Sequence, residues 1–474
     1  MRMLINGEWT DSDGGEIREV IDPATLELLD IVPEATREDV SKAVEAAADC
    51  FPSWSAIASR ERGRLLYHAA QRTRESLPDL AALLSREQGK PLVEAKGEIL
   101  GYINVLEYFH SVSGSLQGSY LEIPGVGDGL VTHDPLGVCA AIIPWNVPAL
   151  TMAWKVAPAL LTGNTVVLKP APTTPLTNLK LASILHDAGL PKGTLNVICG
   201  DGVPAGECLA MHPLVEKISF TGSTEVGRRV ASNAGRALKK VSLELGGSDP
   251  AIICSDVDLE KTAKEIVSAR FYNCGQACTS LKRLYVMEDV ADRMEELLKE
   301  SISAIKIGRG LEPGVGMGPV HSAIQLEHIE SQLRSWKDEG EGRLVLGGGR
   351  PETDLPGHFL QPTLVRDPSE RSRLLREEVF GPILPMMTVR DLDEALERAN
   401  SSPYGLGASI WTRDIHRIRK AVNGFQSGRV WVNMHLRVPV EIPFGGCKAS
   451  GIGQENGLAV LQEYLRTKTV VLGQ

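Results

Sequence analysis

Positive charge is scarce in this 474-residue chain. Lys and Arg total 50 against 60 Asp and Glu, so the formal charge at pH 7 is −10, and the sequence contains no basic run. Nucleic acid and anionic membrane surfaces attract proteins mainly through clustered Lys and Arg. The sequence therefore predicts neither nucleic acid nor a membrane surface as a partner.

Cysteine is also sparse, with eight residues in the whole chain. This number is too small for a disulfide scaffold and is typical of a reducing compartment, so we expect a cytoplasmic protein. Two of the eight, Cys274 and Cys278, lie four residues apart without a second Cys or His pair nearby. Such spacing makes a poor zinc site, and we predict no metal.

Long apolar runs are missing where a membrane protein or a secreted precursor would need them. The chain reaches Gly7 before any apolar region develops, which argues against a signal peptide. Residues 136–154 carry no charge, yet Pro144, Asn146 and Pro148 interrupt them. A strand, a turn and the start of a helix explain this segment better than a spanning helix, so we expect a soluble protein.

What is present is the pattern of an α/β protein of about three domains, on a prior of roughly 150 residues per domain. Apolar periodicity predicts helices over 38–60, 61–88 and 90–115. From Gly137 onwards, short apolar strands alternate with helices, which predicts a parallel sheet with right-handed crossovers. The predicted strands are 138–143, 165–168, 195–199, 218–220 and 241–245, with helices after Pro148, from Pro175, over 204–211 and from Thr224.

Polar residues fall where those strands end. Parallel sheets bind ligands at the carboxyl ends of their strands, where Asn146, Lys169, Gly222 and Glu244 are placed by this prediction. Residues 220–227 run from a strand through a glycine turn into a helix start, which can hold a pyrophosphate on free backbone amides. The turn is not the Gly-x-Gly-x-x-Gly fingerprint, and by itself it is more often plain helix capping.

A reachable thiol is predicted in the stretch 271–280, where cysteine lies among small residues after a glycine. A thiolate is a strong nucleophile, but spacing alone leaves the choice between Cys274 and Cys278 open, and both could be buried apolar residues. Glu244, before two glycines, and Asn146, in a proline-framed turn, could serve as base and oxyanion donor. Taken singly, Glu244 is better explained as a solvated strand end and Asn146 as a turn residue.

Together these stretches resemble the aldehyde dehydrogenase superfamily. The Phe-x-x-x-Gly-Gln-x-Cys signature falls on 271–278, Leu-Glu-Leu-Gly-Gly on 243–247 and Pro-Trp-Asn on 144–146. The likeness extends from residues 5–9 and 22–25 to the C-terminal tail. It implies that Cys278 is the nucleophile, Glu244 the base that activates water, and Asn146 the oxyanion donor.

The resemblance also implies a bound NAD or NADP. It assigns the cofactor contacts to Trp145, Lys169, Gly222, Ser223, Gly227, Glu378 and Phe380. Pro172 stands where many NAD-preferring relatives have a glutamate, whose charge would repel the 2′-phosphate of NADP. We therefore expect NAD as cofactor with NADP tolerated. Ser248 stands where a lysine is frequent, and we attach no mechanism to it.

The reaction implied is oxidation of an aldehyde to a carboxylic acid through a thioester on Cys278. Acylating relatives, which pass the thioester to coenzyme A, commonly lack the glutamate, so Glu244 favours hydrolysis. A cysteine hydrolase would need a histidine beside the thiol, and a non-catalytic relative would be expected to have lost Cys278 or Glu244. The pocket residues carried over are Val147, Thr151, Trp154, Leu436, Val438 and Phe444.

Two charged residues leave alternatives open. Arg437 could bind the carboxylate of a semialdehyde, although a loop arginine is usually solvated. Lys155 matches a lysine near the site of relatives and could assist proton movement, or it could be a solvated helix residue.

The resemblance divides the chain into three parts. Residues 1–116 and 136–246 would form a Rossmann-like NAD(P)-binding domain, and residues 247–450 a second α/β domain that carries the cysteine. Residues 117–135 and 451–474 would form a small β element, with a helix and a strand over 458–474. An exposed β edge of this kind favours pairing with another subunit, so a homodimer or homotetramer is expected.

Overall fold

The computed structural model describes residues 1–473, and Gln474, the end of the predicted tail, lies outside them. The described residues form two large, mainly parallel sheets covered by helices, and three small antiparallel sheets. The predicted α/β class, with a Rossmann-like parallel sheet, is confirmed.

The N-terminal part is built of short strands and then long helices, as predicted. Its elements are β1 (Met3–Ile5), β2 (Glu8–Thr10), β3 (Ile17–Ile21), β4 (Leu28–Pro33), α1 (Arg37–Ser55), α2 (Ser59–Glu75), α3 (Leu77–Gln88), α4 (Leu92–Ser111), β5 (Ser119–Ile123) and β6 (Gly127–Pro135). The prediction of one helix over 61–88 is wrong, because the helix is interrupted at Ser76, between α2 and α3. Pro78 lacks an N–H and its ring clashes with the preceding turn, so it starts a helix rather than continuing one.

The alternating region follows the predicted order of strands and helices. It comprises β7 (Val138–Ile142), α5 (Pro148–Leu161), β8 (Thr165–Lys169), α6 (Leu176–Asp187), β9 (Leu195–Val197), α7 (Glu207–Met211), β10 (Val215–Thr221), α8 (Thr224–Arg236) and β11 (Lys240–Glu244). The helix predicted over 204–211 begins only at Glu207, because a wide turn over Gly202–Gly206 with extended backbone at Val203 precedes it.

The remaining elements complete the second large sheet and the tail. They are β12 (Asp249–Ile253), α9 (Leu259–Phe271), β13 (Leu281–Met287), α10 (Glu288–Ser303), α11 (Ala323–Glu339), β14 (Arg343–Leu346), β15 (Thr363–Arg366), α12 (Arg373–Arg376), β16 (Ile383–Val389), α13 (Leu392–Asn400), β17 (Tyr404–Gly405), β18 (Gly407–Trp411), α14 (Ile415–Gly424), β19 (Arg429–Val432), β20 (Cys447–Lys448), β21 (Gly451–Ile452), α15 (Val460–Glu463) and β22 (Leu465–Gly473).

The first sheet has the order β2-β1-β9-β8-β7-β10-β11-β21. Its five central strands are parallel, while β1 and β21 add to the two sides in the antiparallel sense. Every residue of β7 and β8 is buried, which is expected of strands covered by helices on both faces. Residues 451 and 452, which the sequence assigned to the small β element, pair with the end of β11.

The second sheet has the order β14-β15-β16-β13-β12-β18-β19. Adjacent strands are parallel in every pair except β14–β15, which is antiparallel. The boundary predicted between residues 246 and 247 lies between β11 of the first sheet and β12 of the second. The link between the two strands is therefore short, and the C-terminal end of β11 lies close to the second sheet.

The tail strand β22 pairs along its full length with β6, which pairs in turn with β5. All five residues of β5, and all of β22 after Leu465, are exposed. Binding of another subunit to this three-stranded sheet stays a prediction. No helix among residues 1–473 is both long enough and apolar enough to cross a bilayer.

Candidate active site

A cavity of about 1070 Å³ lies where the carboxyl ends of the first sheet meet the second sheet. Asn146 follows β7, Glu244 ends β11, and Cys278 lies in the loop between α9 and β13. All three line this cavity. The structure therefore brings together the side chains for which the sequence predicts the roles of nucleophile, base and oxyanion donor.

The two cysteines of the stretch 271–280 have different surroundings. Cys274 is 2% exposed and packs in the core of the second sheet, whereas Cys278 is partly exposed and lines the cavity. Three successive residues with left-handed backbone, Asn273, Cys274 and Gly275, turn the chain between them. Gly275 is required there, because a Cβ on it would overlap the carbonyl oxygen of Gly381.

The glutamine of the cysteine motif ties this turn to its neighbours. Gln276 donates from Nε2 to the Asn273 oxygen at 2.9 Å and accepts from the His321 N–H at 2.8 Å. Its own carbonyl oxygen accepts from Asn146 Nδ2 at 3.0 Å. An amide nitrogen carries two hydrogens, so this bond leaves the second one of Asn146 for a ligand.

A buried ion pair that we did not predict supports Asn146 from behind. Lys90 Nζ donates to the Asn146 carbonyl oxygen at 2.7 Å and pairs with Glu98, and both side chains are fully buried. Glu98 also accepts from the N–H of Ala149 at the start of α5. Sequence periodicity places Lys90 and Glu98 among the N-terminal helices, where no short-range signal connects them to residue 146.

The carboxylate Glu244 is buried, and neither of its oxygens has a hydrogen-bond partner among residues 1–473. Burial raises its pKa well above the usual range, and the nearby charge of Glu455 raises it further. Lys155 and Arg429 lower it. A buried polar group without a partner is costly, which is consistent with a group that binds water or substrate.

Lys155 proves to be buried, so its interpretation as a solvated helix residue is wrong. Its Nζ lies 2.6 Å from Glu455 Oε1 and 3.0 Å from Ser219 Oγ. The α5 helix is apolar on all sides because it packs between the sheet and other helices, and its one lysine must therefore find a buried partner. That partner comes from residue 455, 300 positions away.

The thiol of Cys278 lies in a charged but mainly buried environment. Burial raises its pKa to about 12, and the carboxylates of Glu378, Glu244 and Asp249 act in the same direction. Lys282 opposes them. Because the thiolate is the nucleophile, the balance of these charges decides how readily Cys278 reacts.

The loop that carries Glu378 is held against the cysteine loop. The guanidinium of Arg270, fully buried, donates to Ser280 Oγ at 2.9 Å, to the Ile383 oxygen at 2.8 Å and to the Val379 oxygen at 3.2 Å. Glu378 Oε1 accepts from the Gly247 N–H at 3.1 Å.

The paired glycines after Glu244 allow this approach. A Cβ on Gly246 would overlap the Glu378 carboxylate, and one on Gly247 would lie 2.6 Å from the Cys278 carbonyl oxygen. No other residue type fits without moving one of these neighbours.

The predicted pyrophosphate cradle fits a dinucleotide on three counts. Gly222 and Ser223 line the cavity at the start of α8, a 13-residue helix whose first N–H groups have no partner within the helix. A Cβ on Gly222 would lie 2.6 Å from the Phe220 ring, and one on Gly227 would overlap Leu245. Thr221 Oγ1 is buried beside the turn without a partner among the described residues.

The other predicted cofactor contacts divide into residues that line the cavity and residues that lie outside its lining. Trp145 and Phe380 line the cavity with their ring centroids 5.5 Å apart. Lys169 and Gly227 lie outside its lining. Lys169 is buried, its Nζ donates to the Pro170 oxygen at 3.2 Å, and burial lowers its pKa to about 8.

All six predicted substrate-pocket residues line the cavity, together with Leu150, Met434 and Arg437, of which the first two were not predicted. The Trp154 and Phe444 rings lie 5.4 Å apart, at the apolar side of the cavity. The Arg437 side chain is exposed, and its carbonyl oxygen accepts from Trp431 Nε1 at 2.8 Å. Within residues 1–473, no group of three or more His, Cys, Asp or Glu side chains could hold a metal ion.

Comparison with known proteins supports the family resemblance of the sequence over nearly the whole chain. Residues 9–470 match the model of the aldehyde dehydrogenase family. A phenylacetaldehyde dehydrogenase of Pseudomonas fluorescens is 42% identical over 99% of this chain and 95% of its own length.

Solved structures agree with this match. An NADP-dependent enzyme of E. coli superposes with a TM-score of 0.97 at 37% identity, covering 100% of this chain and 98% of its own. A betaine aldehyde dehydrogenase of Staphylococcus aureus, in complex with NAD+, superposes with a TM-score of 0.97 at 34% identity, covering 100% and 95%.

Proposed function

This chain belongs to the aldehyde dehydrogenase family, and we propose that it oxidises an aldehyde to the carboxylic acid by covalent catalysis at Cys278. One observation carries the proposal: Cys278, Asn146 and a buried carboxylate without hydrogen-bond partners, Glu244, line the same cavity. A nucleophile, an oxyanion donor and a base are the groups that acyl transfer to water requires.

In the first step the Cys278 sulfur attacks the aldehyde carbon. The carbonyl oxygen becomes an oxyanion, which accepts hydrogen bonds from Asn146 Nδ2 and from the backbone N–H of Cys278. The bond from Asn146 to the Gln276 oxygen holds the amide in place before substrate arrives, so little reorganisation is needed.

In the second half of the reaction Cys278 carries the acyl group as a thioester. Glu244 takes a proton from water, the hydroxide attacks the thioester carbonyl, and the acid leaves as the sulfur is released. The raised pKa of Glu244 suits a general base, because a carboxylate of ordinary pKa accepts a proton poorly at neutral pH.

NAD or NADP, when bound, supplies the acceptor for the hydride that leaves the aldehyde carbon. Gly222, Ser223 and the N-terminus of α8 would hold the pyrophosphate, and Glu378 and Phe380 the nicotinamide side. Lys169 and Trp145 would contact the adenosine part and the phosphates. Because Pro172 brings no carboxylate to the ribose, we propose NAD as cofactor with NADP accepted.

For the substrate we propose an apolar, aromatic aldehyde. The cavity side formed by Trp154, Phe444 and Leu436 offers rings and aliphatic groups, and the relative from Pseudomonas fluorescens is named for phenylacetaldehyde. The alternative is a semialdehyde whose carboxylate pairs with Arg437. Arg437 is an exposed residue that lines the cavity, so such a carboxylate would bind at the cavity mouth.

The experiment is an assay of the purified protein against aromatic, aliphatic and carboxylated aldehydes with each cofactor, following absorbance of the reduced nicotinamide. Aldehyde-dependent reduction with an acid product supports the proposal, and R437A separates the two substrate classes. A lower kcat/KM of R437A for carboxylated aldehydes alone would establish the semialdehyde alternative. Absence of reduction by folded protein with every aldehyde would contradict the proposal.

We also propose a cytoplasmic homo-oligomer. The exposed sheet of β5, β6 and β22 offers strand edges to a second copy, and light scattering on the purified chain would give the subunit number. The cytoplasmic location is proposed from the sparse cysteines of the sequence, which are typical of a reducing compartment.

A further inference from the structure

A buried lysine that the mechanism does not use lies directly behind the nucleophile. Lys282, the second residue of β13, is 1% exposed. Its Nζ donates to the carbonyl oxygens of Cys278 at 2.6 Å and of Ala277 at 2.8 Å. Lys282 therefore fixes the backbone of the nucleophile loop through two carbonyl oxygens.

The same ammonium group reaches the loop that we assign to the nicotinamide. It lies 3.2 Å from Glu378 Oε1 and 5.7 Å from the centre of the Phe380 ring. Glu378 Oε1 also accepts from Gly247 N–H. Lys282 thus joins the nucleophile loop to Glu378, and Glu378 in turn joins it to the turn that follows β11.

The charge of Lys282 also has an electrostatic role at this position. Cys278 faces three carboxylates: Glu244 from β11, Asp249 from β12 and Glu378 from the loop before β16. Each disfavours the thiolate. Among the charges that act on the thiol, Lys282 is the cation that favours it.

Two acidic neighbours, Glu378 at 3.2 Å and Asp249, offset part of the positive charge of Lys282. Burial raises the pKa of Asp249 to about 7, so this carboxyl is partly protonated at neutral pH. Burial lowers the pKa of His435 to about 3, so the imidazole is neutral at pH 7. Two other cations, Lys155 and Arg429, act on Glu244 and lower its pKa.

We propose that Lys282 is a positioning residue that makes Cys278 reactive, by fixing its loop to Glu378 and by favouring the thiolate. The proposal rests on the function proposed above for Cys278. It predicts that a chain without a cation at residue 282 has a folded site and an unreactive thiol.

The test measures alkylation of Cys278 by iodoacetamide in the cofactor-free enzyme, as a function of pH. Mass spectrometry of the peptide that contains residue 278 separates it from the exposed Cys447. The reaction needs neither aldehyde nor cofactor, so its outcome is independent of whether the proposed oxidation is correct.

We expect K282M to react about tenfold more slowly at neutral pH and to need higher pH for half-maximal rate, because an opposite charge nearby typically shifts a pKa by one unit or more. K282R, which keeps the charge, should recover most of the rate. E378Q removes a carboxylate and frees Lys282, so its half-maximal rate should move to lower pH. The matched control is K217M, which changes a buried lysine bonded to Ser242 in the first sheet and should leave the profile unchanged.

An unchanged pH profile in K282M would overturn the proposal, as would equal loss in K282M and K282R, which would indicate packing alone. If K282M does not fold, the E378Q profile decides. A shift to lower pH supports the electrostatic role, and no shift or an upward shift contradicts it. Activity failure of the wild type with normal alkylation would count against the proposed oxidation and leave the role of Lys282 standing.

Discussion

Glu244 and Cys278 reach the same cavity from two different sheets and are held in opposite ways. The loop of Cys278 is fixed by Lys282, by Arg270 through Ser280, and by Asn273. The carboxylate of Glu244, at the end of β11, accepts no hydrogen bond from any described residue. A nucleophile must attack at one angle, so its backbone is fixed, whereas a base that binds water needs free lone pairs.

Burial shifts the pKa of Glu244 and of Cys278 in the same direction, but the shift has a different consequence for the chemistry of each group. Burial raises the pKa of both. For Glu244 this strengthens the base, while for Cys278 it diminishes the reactive thiolate. The thiolate of Cys278 therefore needs a positive charge nearby to offset the effect of burial, and Lys282 supplies that charge.

The largest expected effect is that of replacing Cys278, and it tests which of the two cysteines is the nucleophile. C278A should lower aldehyde oxidation by at least about 10⁴-fold, because the covalent route is lost. The matched control is C274A, which changes the cysteine of the core four residues earlier. If C274A abolishes activity in a folded protein while C278A retains it, our assignment of the nucleophile is wrong.

The next largest effect is that of replacing Glu244, whose carboxylate has no hydrogen-bond partner among the described residues. E244Q should lower steady-state turnover by about 10²–10⁴-fold, since water is no longer activated, but it should leave the first turnover largely intact. Rapid mixing would then record a burst of reduced cofactor close to one per active site, followed by slow release. A variant with no burst would place Glu244 in the first half of the reaction.

Asn146 lies between the two sides and tests the oxyanion assignment. N146A should reduce kcat/KM by about 10²–10³-fold, the usual cost of removing one oxyanion donor. The rate of Cys278 alkylation should change much less, because iodoacetamide forms no oxyanion. A parallel loss of both rates would mean that Asn146 acts by holding the cysteine loop through Gln276.

The smallest expected effect is a shift in pH dependence. Glu455 raises the pKa of Glu244, and Lys155 lowers it. E455Q removes the raising charge and leaves Lys155 unpaired, so the pKa of Glu244 should fall and its basic form should persist to lower pH. The acid limb of the deacylation rate, measured by single turnover, should move to lower pH. Movement to higher pH would contradict this charge assignment.

Much of the site could be predicted because the motifs that carry the family resemblance are short and local: residues 144–146, 243–247 and 271–278. The parallel first sheet brings 144–146 and 243–247 to one edge, whereas 271–278 precede β13 and reach the cavity from the second sheet. The six pocket residues, which were carried over from the family resemblance, all line the cavity. The helix over 61–88 was mispredicted because its apolar spacing continues through the break that Pro78 imposes.

Buried charges with distant partners were either missed or left open. Lys90, which contacts Asn146 from 56 positions away, was missed, because nothing near it in the sequence distinguishes it from a solvated lysine. Lys155, which contacts Glu455 from 300 positions away, was left open between a role at the site and a solvated position. Lys282 is near Cys278 in sequence, yet its bond to Glu378 depends on the packing of β13 against the loop before β16.

The sequence by itself determined the alternation of strands and helices, the motifs at the strand ends and, through them, the family. Local spacing suffices for the strands and helices, because periodicity and turn chemistry act over a few residues, and the family follows from the resemblance of the motifs. Only the tertiary structure decided that Cys274 is in the core and Cys278 at the cavity, that Glu244 has no partner, and that Lys282 lies behind the thiol. Burial and charge environment depend on residues that are remote in sequence, and those two quantities set the reactivity of the site.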